Sequence, residues 1–217
     1  MLFGKSLAID DNELEHVASA ARQASARSFA EVEFIERLRS GEAEAFDELV
    51  TRYSNDIFAL LCRMTGDPDE AKDLTQDTFV RALRAIGGFR GESGLKTWLF
   101  RIAVNESRNR FRWWKRRRRG QTVSLDQPIG ESEALIHDTI AGGGASPEDE
   151  ALRREREALL QRALLALPDA YRETVILFDI HGLSYEQISQ TLEISMGTVK
   201  SRIARGREEL RRKLKGY

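Results

Sequence analysis

The 217-residue chain is 41% hydrophobic and carries 34 basic and 35 acidic residues, which gives a formal net charge of −1. This size suits one medium domain or two small ones, and the balanced total charge does not by itself predict a polyanionic partner. A single cysteine, Cys62, excludes an internal disulfide, and the three histidines lie too far apart in sequence to predict a metal site. No apolar run reaches the length of a membrane span, so we expect a cytoplasmic protein without metal or cofactor.

Most of the chain has the apolar spacing of α-helices and only four prolines, which together predict an all-α fold. Residues 1–30 have a thin apolar face and are expected to form a weakly structured or helical extension. From Phe34 the helical pattern strengthens, and it places Cys62 in a helix core. Asp67 and Pro68 then suit the N-cap and first turn of the next helix, so a helix boundary is predicted there.

Two further apolar stripes define the third and fourth helices. The third helix is expected to be lined by Leu74, Phe79, Leu83 and Ile86. The fourth begins after the loop at 90–94, and its inward stripe starts at Trp98 and continues into Phe111, Trp113 and Trp114.

Charge is distributed in blocks along the chain. Residues 101–119 hold nine basic residues and one acidic residue, and residues 195–215 hold eight basic and two acidic residues. Residues 120–150 hold seven acidic residues and no lysine or arginine. The two basic blocks are candidate phosphate-binding surfaces, although solvated faces of ordinary helices would have the same composition.

Between the basic blocks, a glycine triplet and two prolines without firm periodicity predict a linker. The predicted fold is therefore two small helical domains joined by a flexible acidic linker. The expected boundaries are an extension at 1–30, a helical domain at 31–119, the linker at 120–147 and a second helical domain at 148–217.

A helix-turn-helix pattern is present in the second domain. A short helix from Ser184 to Leu192 precedes a three-residue turn, and a second helix starts after Ser195. Both serines suit N-cap positions. The turn opens with Glu193, where glycine is commonest, so we expect either a turn without strong positive φ or a small local cost.

The second helix of this motif would present polar side chains to the major groove. Arginine and lysine donate to guanine acceptors, and serine or threonine contacts bases or phosphates. A surface helix of a plain bundle is the alternative. The candidate DNA-contacting residues are Thr198, Lys200, Ser201, Arg202 and Arg205.

Two sets of motifs, in the correct order, resemble the extracytoplasmic-function (ECF) group of bacterial sigma factors. Residues 183–188 (LSYEQI) and 197–202 (GTVKSR) are similar to sigma region 4. Residues 73–79 (DLTQDTF) and 97–105 (TWLFRIAVN) are similar to region 2. The resemblance spans about 34–214, and two motif sets in register are more specific than a lone helix-turn-helix.

The resemblance implies a sigma factor that binds core RNA polymerase and promoter DNA and is not an enzyme. Region 4 in this family recognises the minus-thirty-five element. Region 2 binds the polymerase clamp helices and opens the minus-ten element, where an unpaired base is captured and its strand is held. The implied polymerase-binding residues are Asp73, Gln76 and Asp77, for which a solvated acidic face is the alternative. Candidate minus-ten contacts are Arg90, Ser93, Arg101, Asn105, Arg108 and Arg112.

Several alternatives stay open from the sequence. Trp98 lies on the apolar stripe, which favours core packing over a DNA contact. The family often has an acid where this chain has Asn109. The acidic linker would either thread into a basic channel of the polymerase or simply keep the domains apart. An anti-sigma factor is a further candidate partner, and the extension at 1–30 is a candidate site for a regulator.

Two other function classes compete with a sigma factor. A helix-turn-helix repressor or activator would explain the second basic block but not the motifs between Asp73 and Asn105. A recombinase or nuclease lacks its expected signature, because the sequence has no serine nucleophile motif, carboxylate cluster with histidine or phosphate-binding glycine loop.

Overall fold

The computed structural model describes residues 30–118 and 146–215, and every regular element in these two ranges is helical. The all-α prediction is therefore confirmed for the described residues. Most of the predicted extension and linker lies outside them. The helices are α1 (30–40), α2 (Ala43–Thr65), α3 (Pro68–Ala85), α4 (Leu95–Arg118), α5 (Pro147–Leu165), α6 (Asp169–Val175), α7 (Tyr185–Leu192) and α8 (Met196–Leu214).

The chain divides into two compact units after Leu49. In the first unit, α1 ends at a turn in which Gly41 has a φ of 83°. Arg37 holds this turn, since its Nε donates to Glu42 at 2.9 Å and its Nη1 lies 3.4 Å from Glu48. Phe34 is buried on the same helix.

The second unit contains an amino-terminal part, which we define as residues 50–118. Ile57, Leu60 and Leu61 of α2 are fully buried, and α3 packs along α4. Asp67 caps α3 by accepting from the backbone amides of Asp69 and Glu70, as its position before Pro68 predicts. A 3-10 turn at Ile86–Gly88 follows α3 and leads into the loop before α4.

The carboxy-terminal part of the same unit consists of residues 146–215. Ser146 caps α5, and α6 continues into a π-helical turn at Ile176–Ile180. Helix α8 packs on α6 at Gly206, where an added Cβ would lie 2.6 Å from Val175 Cγ2. Only glycine permits this close approach, and it seats α8 on the apolar face of α6.

Five apolar predictions are confirmed, and four are wrong. Leu74, Phe79 and Ile86 of the predicted third-helix stripe are buried. Trp98 is only 7% exposed and lies against Phe89, with 5.0 Å between ring centroids, and Cys62 is buried. The wrongly placed side chains are exposed because the helix turns them away from the core that α3 and α4 share. They are Leu83, Phe111, Trp113 and Trp114.

The amino-terminal and carboxy-terminal parts pack on each other within the second unit. Helix α4 runs along α7. Gln161 Nε2 donates to the backbone carbonyl of Cys62 at 3.1 Å, and Phe100 meets His181 edge to face at 5.0 Å. Leu165 lies over Gly66, where a Cβ would collide with it. Contacts from four separate helices therefore join the two parts.

Candidate nucleic-acid interface

Helix α3 presents an acidic and polar face to solvent. Asp73, Gln76 and Asp77 share one face because they are three and four residues apart, and all three are exposed. Arg110 Nη2 of α4 lies 3.1 Å from the Asp77 carboxylate. Asp77 is thus paired with a residue of α4, and Asp73 and Gln76 lie beside it on the exposed face of α3.

Beside this face, α4 carries a row of basic and amide side chains. Arg101, Asn105, Arg108 and Arg112 recur at helical spacing, and the predicted row is therefore continuous along one side of the helix. Arg112 is exposed and donates to Asn109 Oδ1 at 2.5 Å. The four residues nevertheless differ in what they contact.

Arg108 is held by a carboxylate from the carboxy-terminal part. Its Nε lies 2.9 Å from Glu173 Oε1, and its Nη2 lies 2.5 Å from Glu173 Oε2. The Glu173 side chain is only 5% exposed, and the Arg108 side chain is 32% exposed. Hydrogen bonding to Glu173 raises the pKa of Arg108 further above its usual value. A fork-shaped, largely buried pair of this kind is strong and geometrically specific.

A second, looser ion pair lies seven residues earlier on α4. Arg101 Nη1 lies 3.9 Å from Glu193 Oε1, and both side chains are substantially exposed. An exposed pair at this distance contributes little stability by itself. It does show that two residues of the predicted minus-ten set face acids of the carboxy-terminal part.

The loop residues of that set remain at the surface. Arg90 is exposed and lies 3.9 Å from Glu92, and Ser93 is half-buried. Phe89 and Trp98, which flank this loop in the sequence, are buried against each other at a tilt of 42° and anchor its two ends. The structure therefore places Arg90 and Ser93 beside the start of α4 and leaves Arg101, Asn105 and Arg108 on the side that packs toward α7.

The helix-turn-helix prediction is confirmed at α7 and α8. Ser184 accepts from the Gln187 amide while the Gln187 side chain accepts from the Ser184 amide, and Ser195 caps α8 through the Thr198 amide. Glu193 takes the left-handed conformation, with φ 56° and ψ 47°. The second of the two turn expectations is thus correct, because a non-glycine residue in this conformation carries a local cost.

The amino-terminal half of α8 carries the predicted recognition residues. Lys200, Ser201 and Arg205 are exposed, and Thr198 and Arg202 are half-buried. Within the described ranges, no carboxylate lies at salt-bridge distance from Lys200, Arg202 or Arg205. These side chains are available to an external anion.

An aromatic ladder connects this face to the rest of α8. The rings of Phe178 and Tyr185 are stacked, with centroids 5.1 Å apart and an interplanar angle of 8°. Lys200 Nζ lies 5.7 Å from the Tyr185 ring, and the Arg207 guanidinium lies 5.1 Å from the Phe178 ring. Arg207 is also paired with Asp179. The π-helical turn thus supplies Phe178 and Asp179, which together hold Arg207 of α8.

Sequence reasoning missed Glu173 and the aromatic ladder. Glu173 stands in a run of buried residues from 173 to 177, and an acid inside such a run indicates a buried partner. The partner itself, 65 residues away, has no signal in the sequence. The π-helical turn leaves Phe178 half-buried and places its ring against Tyr185.

Exposed arginines and aromatic rings of this kind suit anions and stacked bases. Within residues 30–118 and 146–215, no group of three or more metal-ligating side chains occurs. None of the described helices is long and apolar enough to cross a membrane. The exposed aromatics Trp113 and Trp114 at the basic end of α4 meet edge to face at 5.2 Å. They add stacking surface next to arginines.

Two protein families match the chain. Sigma-70 region 2 matches residues 49–119, and sigma-70 region 4 matches residues 157–210. The first covers α3, α4 and most of α2, and the second covers the helix-turn-helix. Both segments coincide with the surfaces described above.

The proteins with similar sequences are sigma factors. The chain is 37% identical to the RNA polymerase sigma-H factor of Pseudomonas aeruginosa over 179 residues, which cover 82% of the chain and 90% of that protein. It is 36% identical to the ECF RNA polymerase sigma factor SigW of Bacillus subtilis over 182 residues, 83% of the chain and 95% of SigW.

Two solved structures have a similar fold. The sigma factor RpoE from Bartonella quintana, in complex with the anti-sigma factor NepR, has a TM-score of 0.63 and 26% identity over 80% of this chain and 98% of that one. CnrH, in complex with the cytosolic domain of CnrY, has a TM-score of 0.60 and 26% identity over 86% of this chain and 98% of that one.

Proposed function

Because the chain belongs to the ECF group of the sigma-70 family, it directs RNA polymerase to promoters, and we propose which of its surfaces carry each part of that task. Region 2 lies in the amino-terminal part, and region 4 lies in the carboxy-terminal part. A helix-turn-helix regulator that acts without polymerase would not need region 2. Such a regulator is therefore no longer a competing function.

The outer face of α3 is the proposed docking surface for core polymerase. Asp73, Gln76 and Asp77 are exposed on one side of the helix, and this placement is the observation that supports the assignment. Acidic side chains at the rim of an interface steer association with a basic partner surface. The Asp77 carboxylate is paired with Arg110, and Asp73 is not part of that pair, so Asp73 is the residue to change first.

Promoter DNA is proposed to contact the chain at two sites. Region 4 would read the minus-thirty-five element through Thr198, Lys200, Ser201, Arg202 and Arg205 of α8. Their support is their position in the first half of a capped helix, the end that enters the major groove in this motif, where none of the five is buried. Region 2 would hold the opened minus-ten strand through Arg90, Ser93, Arg101, Asn105, Arg108 and Arg112.

The proposed domain division keeps the extension at 1–30, region 2 at 31–119, the linker at 120–147 and region 4 at 148–217. Four acidic residues and no lysine or arginine between 120 and 147 support a linker at these positions. Limited proteolysis should cut mainly between Gly120 and Pro147 and yield two fragments on a denaturing gel. A chain that resists cleavage equally throughout would contradict the division.

We further propose that the chain is not an enzyme and acts in the cytoplasm, where RNA polymerase transcribes the chromosome. RpoE of Bartonella quintana, which has a similar fold, forms a complex with the anti-sigma factor NepR. By extension, an anti-sigma protein is a proposed partner of this chain.

The function is tested by transcription in vitro with core polymerase on genomic DNA fragments, followed by sequencing of the transcript starts. The chain should create new starts that share two upstream elements. Asp73→Lys should lower the affinity for core polymerase about tenfold, since a rim charge that steers association is reversed. Glu155→Lys, an equal charge change on exposed α5, is the matched control. No new starts, or equal affinity for both variants, would refute the respective assignments.

A further inference from the structure

Arg108 belongs to the proposed minus-ten surface, yet in the isolated chain its guanidinium is already occupied. Its Nε and Nη2 donate to the two carboxylate oxygens of Glu173, at 2.9 and 2.5 Å. A guanidinium fork binds a carboxylate and a phosphate in the same planar, two-pronged way. The acceptor atoms of Glu173 therefore stand where phosphate oxygens of a DNA backbone would bind.

Glu173 is built into its position rather than attached at the surface. Its side chain is 5% exposed, and its neighbours Thr174, Val175, Ile176 and Leu177 are buried. An acid in such surroundings is costly unless a cation satisfies it. The amino-terminal part supplies that cation, so the carboxylate depends on contact with α4.

A second acid faces the same row of α4. Glu193 holds a left-handed backbone conformation at φ 56°, which costs a non-glycine residue energy, and its carboxylate lies 3.9 Å from Arg101. Arg101 and Arg108 are seven residues apart on one helix face. Two acids of region 4 thus meet two arginines of the row that is proposed to hold the minus-ten strand.

Uncharged contacts join the two parts beside these pairs. Phe100 meets His181 edge to face, and α4 runs along α7. Arg101, Asn105 and Arg112 are exposed, whereas Arg108 is half-buried beside Glu173. The occlusion is therefore centred on Arg108.

We infer that Glu173 is an internal ligand of the minus-ten site: it occupies the Arg108 guanidinium in the free chain and must leave before the DNA strand can bind there. This inference rests on the proposed role of Arg108. Region 4 thereby occupies Arg108, one member of the strand-binding row of region 2, when the chain is closed. Strand binding requires the two parts to separate, and the apparent affinity falls by the fraction of chains that are open.

The test uses the full-length chain without polymerase and measures closure and strand binding separately. Spin labels at Ala85→Cys and Ala151→Cys, in a Cys62→Ala background, report the distance between the two parts. A fluorescein-labelled oligothymidine strand reports binding. Glu173→Gln should lengthen and broaden the label distance and increase affinity for the strand about tenfold, because more chains are open.

The matched control is Asp169→Asn, which removes the same charge from α6 but breaks only an exposed pair with Arg172 on that helix. It should behave as the unchanged chain in both assays. Arg108→Gln should also lengthen the distance, and the double variant should open no further than either single change. Glu173→Asp keeps the charge, and circular dichroism shows whether each variant is folded.

Unchanged distance and unchanged strand affinity in a folded Glu173→Gln variant would overturn the inference. A longer distance without a gain in strand affinity would also overturn it, since Glu173 would then be a clamp and not a competitor. Failure of the chain to direct transcription with core polymerase would instead refute the proposed function. The distance measurement would still stand in that case, so the two failures are distinguishable.

Discussion

Helices α4 and α8 are both long, basic and capable of binding DNA, but they differ in what their arginines contact. On α8, Lys200, Arg202 and Arg205 meet no carboxylate among the described residues. On α4, Arg108 is held by the buried Glu173. Similar composition therefore yields one surface that is open and one that is occupied, because availability depends on tertiary contacts and not on charge alone.

The largest expected effect concerns DNA binding by α8, the open surface in this comparison. Removing a base-reading arginine by Arg205→Ala should cost about 1–3 kcal/mol in promoter binding and relax specificity at one position, whereas Lys200→Ala should weaken all sequences and reduce the salt slope by about 1. Fluorescence anisotropy with promoter duplexes at several salt concentrations measures both quantities.

Arg211→Ala is the control on the same helix, because Arg211 is exposed near the other end and pairs with Glu208. It should leave specificity unchanged. If all three variants have the affinity and salt slope of the unchanged chain, α8 is not the recognition helix.

A second prediction concerns the pH dependence of the contact between α4 and the carboxy-terminal part, where Phe100 meets His181. Burial lowers the pKa of His181 to about 4. The positive charges of Lys96 and Arg63 lower it as well, and the negative charge of Asp56 partly offsets them. The neutral ring is thus favoured in the fold, and its stabilising contribution is complete above pH 6.5 and is lost as the pH falls toward 4. Between pH 7.5 and 5.5 the free energy of unfolding should fall by roughly 1 kcal/mol.

Urea unfolding at the two pH values measures this change. His181→Gln is the comparison, since subtracting its pH dependence isolates the contribution of the one imidazole from the other titrating groups. An identical pH dependence in both chains would show that His181 stays solvated and does not belong to the closed contact with Phe100.

The smallest predicted effect concerns the aromatic ladder. Tyr185→Leu removes the ring under Lys200 and should weaken minus-thirty-five binding by about 0.5–1 kcal/mol, the range for an exposed cation–π contact. Tyr185→Phe keeps the ring and should bind as the unchanged chain. A double-mutant cycle with Lys200→Ala measures the coupling, and a coupling of zero would show that Tyr185 does not position Lys200.

Local features of the fold were predictable because their causes are local. The caps at Asp67, Ser184 and Ser195 follow from short side chains that satisfy nearby amides, and the structure has all three. The helix-turn-helix followed from the spacing of apolar residues around a short turn. Only the backbone conformation of Glu193 stayed open. The residue type alone does not determine whether a turn avoids positive φ or accepts its conformational cost.

Long-range features were not predictable from the same patterns. Trp113 and Trp114 continue an apolar stripe, but the helix extends past its neighbour and leaves them exposed. The partner of Arg108 depends on how two distant segments pack, and no periodicity encodes a contact across 65 residues. The sequence therefore located the basic surfaces but not which of them is occupied.

The most direct test of the account is a footprint of one promoter by the free chain and by the chain bound to core polymerase. The bound chain should protect both elements, and permanganate should detect unpaired thymines in the minus-ten element. The free chain should give no protection of that element, because Arg108 is occupied. Equal protection of both elements by the free chain would contradict the account.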